Sequence, residues 1–144
     1  MQHWLGVVSR AHVERGVAGG FAQLCHGKEG PLRRMKPGDW LIYYSPATEM
    51  RGGERLQAFT ALGRVLDERV YTHDMGGGFC PFRRDLRYER VQPVPLAALA
   101  AELHLTARPN WGMALRRGHL PLDDHDFDLI ATALRSGARG EKRR

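Results

Sequence analysis

The sequence predicts an α+β or mainly β-barrel domain, a small sheet with helices packed outside it. Three observations carry this prediction. The chain opens strand–helix–strand, continues through several strand patterns, and gathers helical patterns late. Strands and helices do not alternate regularly, which argues against a doubly wound sheet. The run Trp40 to Ser45 is apolar in both registers, with Trp40, Ile42 and Tyr44 on one face and Leu41 and Tyr43 on the other. Such a strand is expected to be buried on both sides.

The elements follow in order. His3 to Ser9 reads as a strand, and Ser9 is placed to cap a helix from about Arg10 to Val17, ended by Gly19-Gly20. Phe21 to Lys28 mixes apolar and polar groups without a period, which predicts a structured loop where backbone can approach a ligand. Pro31 to Met35 reads as one basic turn. Pro37-Gly38-Asp39 is a tight turn that sets the register of the strand after it. Ala47 to Arg55, with Gly52-Gly53, is a loop. Leu56 to Glu68 reads as a long strand with a bulge or bend at Gly63, and Val70 to His73 as the start of another. After Gly76-Gly77-Gly78, Phe79 to Val91 is a strand with a basic face of Arg83, Arg84, Arg87 and Arg90. Pro95 opens a helix through about Leu103, on the spacing of Leu96, Leu99, Ala100 and Leu103. Pro109 to Gly112 is a turn presenting Trp111, and Leu120 to Leu122 is a short last strand. Asp123 caps a final helix with Phe127, Ile130, Ala131 and Leu134 on its apolar face.

At 144 residues, 42% hydrophobic and 26% charged, the chain reads as one ordinary globular domain. No apolar run approaches the roughly 18–20 residues that span a bilayer, and the opening residues show no secretory pattern. Cys25 and Cys80 form no CxxC pair, so a reduced, cytoplasmic setting is expected. Much of the net charge of +6 falls in residues 135–144, read as a basic flexible tail after a domain spanning 1–134. Such a tail favours solubility or nonspecific attraction to phosphate.

The motifs of common chemistries fail in turn. The seven histidines include no HxxxH pair, and Cys25-His26 has no second cluster at ligand spacing, so no metal is expected. A Cys25 nucleophile needs a histidine base that spacing does not single out. The glycine triplet lacks the lysine and hydroxyl of a nucleotide loop. What survives is a set of aromatic and hydrogen-bonding groups beside arginines. Tyr43, Tyr44 and Trp111 are candidate stacking platforms. Ser9, Gln23, His26 and Ser45 are candidate readers of polar edges, and Arg83 and Arg84 are candidate phosphate ligands.

Several segments together resemble the small bacterial EVE-domain proteins. They are Trp4-Leu-Gly-Val-Val-Ser-Arg10, Gly19-Gly-Phe-Ala-Gln-Leu-Cys-His-Gly-Lys28, Pro31 to Pro46, Leu56 to Gly63, Pro81-Phe-Arg-Arg-Asp85, Asn110-Trp-Gly112 and Asp126 to Ile130. The likeness is collinear over about residues 2–134 and leaves out the loop Ala47 to Arg55 and the tail. It implies a PUA-like bent β-barrel of about five to six strands flanked by helices, with kinship to YTH domains. It also implies a noncatalytic domain, without cofactor, that binds RNA or DNA and takes a modified base into an aromatic-lined pocket. On this chain the implied pocket comprises Ser9, the loop with Phe21, Gln23, Cys25 and His26, and Tyr43 to Ser45. Trp111 is an additional wall, with Lys28, Arg83 and Arg84 toward phosphate. Two other readings stay open: a small-molecule or nucleotide-metabolite binder using the same pocket, and an enzyme built on Cys25 and His26.

Overall fold

The computed structural model describes residues 2–142, with backbone only for 138–142. Its elements are β1 (His3–Val7), α1 (Arg10–Gly19), β2 (Phe21–Ala22), α2 (Glu29–Arg34), β3 (Trp40–Ala47), β4 (Arg55–Thr72), β5 (Phe82–Tyr88), β6 (Val94–Pro95), α3 (His104–Ala107), α4 (Trp111–Leu115), β7 (His119–Leu122) and α5 (Asp124–Lys142). The seven strands form one bent sheet of order β2-β5-β4-β3-β1-β7, with β6 added to β4. The α+β class expected from the sequence is the class observed; the strand number exceeds the expected five to six through the two-residue strands β2 and β6.

Central strand β3 runs parallel to β1 and antiparallel to β4. Its alternation divides the core. Ile42 and Tyr44 join a cluster with Phe59, Leu62, Leu103, Phe127 and Ile130 under α5. Leu41 and Tyr43 join a second with Val13, Leu24, Leu32, Ala61 and Leu86 under α1 and α2. Leu41, Ile42 and Tyr43 are all within 1% of full burial. At ~25 cal/mol per Å² of apolar surface, a strand covered on both faces contributes about twice per residue what a strand with one face in water does.

The turn ahead of β3 forms as expected. Gly38 adopts φ 89° and Asp39 N–H donates to the Lys36 carbonyl at 2.9 Å, the geometry that requires glycine at the third turn position. The buried Asp39 carboxylate accepts the Gln2 N–H, the Lys36 N–H and the Trp4 indole N–H at 2.8–3.0 Å. Burial alone would raise its pKa, but these donors outweigh burial and hold it below the usual carboxylate value.

Four expectations change. Leu56–Glu68 and Val70–His73 are one 18-residue strand, because β4 bends while changing partners. Its pairing with β5 breaks between Val65 and Val70, and with β3 at Tyr43/Tyr44 and Ser45/Ala47. Gly63 lies at none of these irregularities. A Cβ there would meet the Tyr88 ring at 2.9 Å, so glycine serves close packing. The helix expected over Pro95–Leu103 is absent. Val94 pairs with Phe59 in β6, Leu96–Ala98 makes one 3₁₀ turn, and Leu96 and Leu103 reach the core without a helix between them. The last helix also continues beyond Leu134. Arg135, the first residue of the expected tail, makes a paired hydrogen bond to Glu89 at 2.9 and 2.8 Å; residues 143 and 144 lie outside the described residues.

Arg84 is a correction to the phosphate assignment. It is 2% exposed. Nε and Nη2 donate to the Asp67 carbonyl at 3.0 and 2.6 Å, and Nη1 donates to the carbonyls of Leu32 and Met35. One guanidinium thus satisfies carbonyls left over at the end of α2 and at the irregularity in β4. Arg84→Met is therefore expected to lower the unfolding free energy by about 3 kcal/mol, because these buried carbonyls lose their donors. Urea denaturation checks this; an unchanged midpoint refutes the structural role.

His119 adds a pH-dependent term. It is 4% exposed, stacks on Trp4 with centroids 4.6 Å apart, and neither ring nitrogen has a hydrogen-bond partner among the described residues. Burial, with the charge of Arg34 adding to it, pushes its pKa down to about 4. The unfolded chain binds this proton near pH 6.5, the folded chain only near 4. Stability is thus full above about pH 6.5 and falls by up to about 3 kcal/mol as pH drops toward 4. His119→Leu should flatten that part of the stability–pH curve; an unchanged slope would exclude His119 as its source.

Candidate functional site

A cavity of about 470 Å³ opens where β1 ends and α1 begins. Four segments meet there: Val7 to Ser9 with His12, the loop from Gln23 to Lys28, Pro46 to Met50, and Leu115 to Gly118. Backbone bonds fasten the end of β1 and the start of α1 to the chain around them. Val7 N–H donates to the Gly118 carbonyl at 2.9 Å, Val8 N–H to Tyr44 at 3.1 Å, and Ala11 N–H to Thr48 at 2.9 Å. Such cross-bracing keeps the walls in place without a ligand.

Ser9 caps α1 as expected, its Oγ accepting the His12 N–H at 3.4 Å. His12, one turn into that helix, was not singled out by sequence. Its Nε2 lies 3.2 Å from the Gln23 carbonyl. A carbonyl only accepts, so Nε2 carries the proton and Nδ1 keeps a lone pair. Burial lowers the His12 pKa, with neighbouring Arg15 and Arg83 adding to it against the Gln23 bond.

Gln23 is 5% exposed. Its Oε1 accepts from Arg83 Nε at 2.7 Å, so the side-chain NH₂ is turned away from Arg83. Arg83 itself lies over the Phe21 ring, 3.7 Å from the centroid. Phe21 therefore supports Arg83, and Arg83 orients Gln23. These two residues stand behind the cavity wall, and neither lines it.

The next turn is left-handed at three consecutive residues, with φ of 49° at Cys25, 62° at His26 and 83° at Gly27. Two of these are not glycine, which costs of order 1 kcal/mol each. The turn is held by Gly27 and Lys28 N–H bonds to the Leu24 carbonyl at 3.0 and 3.2 Å. It carries Cys25, His26 and Lys28 to the cavity wall. The Cys25 thiol packs on the chain opposite, 3.5 Å from the Arg117 carbonyl. Gly118, at φ 76°, leaves room for it: a Cβ there would stand 2.9 Å from the sulfur. Burial pushes the Cys25 pKa up, and Lys28 and Arg34 only partly oppose this. A nucleophilic cysteine needs the reverse shift.

The expected aromatic lining is not formed by the residues assigned to it. Tyr43 and Tyr44 point to opposite faces of β3. Tyr43 stacks near Tyr88 with centroids 6.4 Å apart, and burial pushes its hydroxyl pKa up. Tyr44 packs edge-on to Phe59 at 5.6 Å. Ser45 is fully buried and shares a 2.8 Å hydrogen bond with Thr60. Trp111 opens α4 and packs against the core under α5. Ser9, Gln23, Cys25, His26 and Lys28 do converge on the cavity. Its remaining walls come from Val7, Val8, Pro46, Ala47, Met50, Leu115 and Gly118, and Arg116 and Arg117 add two cations to Lys28 against the single carboxylate of Glu49. The sequence signal for the last pair was an Arg-Arg-Gly triplet shortly after Trp111.

No helix among the described residues is long and apolar enough to cross a membrane. The EVE domain family model matches residues 2–133. The chain is 48% identical over 139 residues to a UPF0310 protein of Streptococcus mutans, covering 94% of this chain and 98% of that one. It is 43% identical to the UPF0310 protein YdcG of Bacillus subtilis, covering 92% and 91%. The human THYN1 protein, solved in complex with 5-methylcytosine-containing DNA, matches with a TM-score of 0.55 at 16% identity, covering 92% and 96%. That likeness shows the shared fold. By the match across nearly its whole length, the chain belongs to the EVE-domain family.

Proposed function

We propose that this protein is a noncatalytic nucleic-acid-binding domain of the cytoplasm that takes one base, in modified form, into the cavity. The carrying observation is the polar set formed by the Gln23 amide, His12 and Ser9 beside a cationic rim of Lys28, Arg116 and Arg117. Arg83 fixes the Gln23 oxygen, so the amide offers a donor. His12 Nδ1 is an acceptor, and Ser9, accepting from His12, has its own O–H to give. A base edge presenting both acceptors and a donor matches this set. The rim cations suit the flanking phosphates of DNA or RNA. The complex of human THYN1 with methylated DNA supports this reading by fold analogy. The raised Cys25 pKa speaks against a thiol enzyme.

A second reading is favoured by one feature: the cavity walls are aliphatic rather than aromatic. A free nucleotide or other small anionic metabolite would then fill the site, with Lys28, Arg116 and Arg117 on its acid group.

Salt dependence separates the two. Oligonucleotide affinity should fall with log-log slope near −0.7 per phosphate engaged on a single strand and −0.9 on duplex. Lys28→Ala, Arg116→Ala and Arg117→Ala should each flatten the slope by about one phosphate. Affinity independent of oligonucleotide length and salt would favour the metabolite.

Gln23→Glu tests the polar set. It keeps the acceptor for Arg83 but replaces the N–H donor by an oxygen. Affinity for the preferred oligonucleotide should drop at least tenfold with an unchanged unfolding midpoint. Equal affinity in titrations of the two proteins would remove Gln23 from the site.

A further inference from the structure

Far along the chain from the cavity residues Ser9 to Lys28, two imidazoles meet at the junction of α3 and α5. The rings of His104 and His125 stack with centroids 3.9 Å apart and planes 16° from parallel. Both are open to solvent, at 56% and 45% side-chain exposure. Beneath them lies Asp126, 2% exposed. Its two oxygens accept the N–H groups of His104 and Leu105 at 2.8 Å each, so the carboxylate is rigidly placed. One ligand atom from each of His104, His125 and Asp126 lies within 4.8 Å of the others.

Each imidazole is also oriented from behind. His104 Nδ1 is 2.8 Å from Asp123 Oδ2, and His125 Nε2 is 2.9 Å from the Glu102 carbonyl. Both partners are acceptors, so these nitrogens carry the protons, and each ring keeps one nitrogen lone pair. Outer acceptors that fix tautomer and leave a free lone pair are the support that metal-ligating histidines need. His125 Nε2 also stands 3.9 Å from Asp126 Oδ1, so its proton faces two acceptors and Nδ1 is the nitrogen left for an ion.

We infer that His104, His125 and Asp126 form a binding site for a divalent transition-metal cation of the zinc type. Two imidazole nitrogens and one carboxylate oxygen are the donor set that borderline cations such as zinc prefer, with remaining positions left to water. Ligands on one zinc stand about 3.3 Å apart, given bonds of about 2.0–2.1 Å. Closing from 4.8 Å requires the stacked rings to splay by side-chain rotation, which their exposure permits. Asp126 needs no such movement. The bound ion would then staple α3 to the first turn of α5. The three ligands are separated by 21 and 1 positions, which is why sequence spacing showed no site.

The test is zinc chloride titrated calorimetrically into the full chain carrying Cys25→Ser and Cys80→Ser, which removes both thiols as competing ligands. One zinc per chain is expected, and zinc at ten times its dissociation constant should raise Tm by about 4 °C. His104→Ala and His125→Ala should each weaken binding at least tenfold, with metal-free melting curves recorded to show that each variant folds. His12→Ala, in the cavity, should leave zinc affinity unchanged. Zinc binding that persists in the His104→Ala/His125→Ala double variant, or no binding at 100 times the protein concentration, overturns the inference.

Discussion

The constraint on which the rest of this structure depends is that β3 is covered on both faces. Ile42 and Tyr44 must be covered on one side, Leu41 and Tyr43 on the other. A single layer of helices cannot do both. The chain therefore places α1 and α2 against one face and α5 with the 96–105 segment against the other. The crossover from β1 to its parallel partner β3 carries α1, β2 and α2, and so delivers one of those layers directly. The left-handed turn at Cys25 to Gly27 lies within the same crossover, which brings the site loop to the end of β1.

A second constraint is the bend of β4. A strand of 18 residues leaves backbone groups unpaired where its pairing with β5 breaks, between Val65 and Val70. Arg84 answers this at the Asp67 carbonyl while also holding the end of α2. Its neighbour Arg83 points to the opposite face of β5 and there orients Gln23 through Nε. Two adjacent arginines thus do unrelated work, one in the scaffold and one behind the cavity wall. Strand alternation assigns them to different faces, and burial decides which face is which.

Much of the fold was readable because local rules governed it. The Ser9 cap, the Pro37-Gly38-Asp39 turn, the double-sided β3 and the apolar face of α5 all rest on residues within a few positions of each other. The 96–103 segment shows where such rules stop. Leu96, Leu99 and Leu103 have helical spacing, yet Val94 is drawn into pairing with Phe59, and the leucines reach the core from turns. At the site, Ser9 and the 23–28 loop were legible. Tyr43 and Tyr44 were assigned to one pocket although neighbours on a strand face opposite ways. Met50 had no local signal, and His12 was indistinguishable from a surface helical histidine.

The sequence by itself determined the class of fold, the central strand and its two-sided cover, the first helix and the family to which the chain belongs. These follow from periodicity, turn chemistry and collinear motifs. Only the tertiary structure decided what lines the cavity and what each arginine does. Gln23 meets Arg83 across 60 positions, and Cys25 meets the Arg117 carbonyl across 92. Contacts at such separation are set by how the sheet bends and which carbonyls are left without donors. No spacing in the chain carries that information, because it arises only when both faces of β3 are closed.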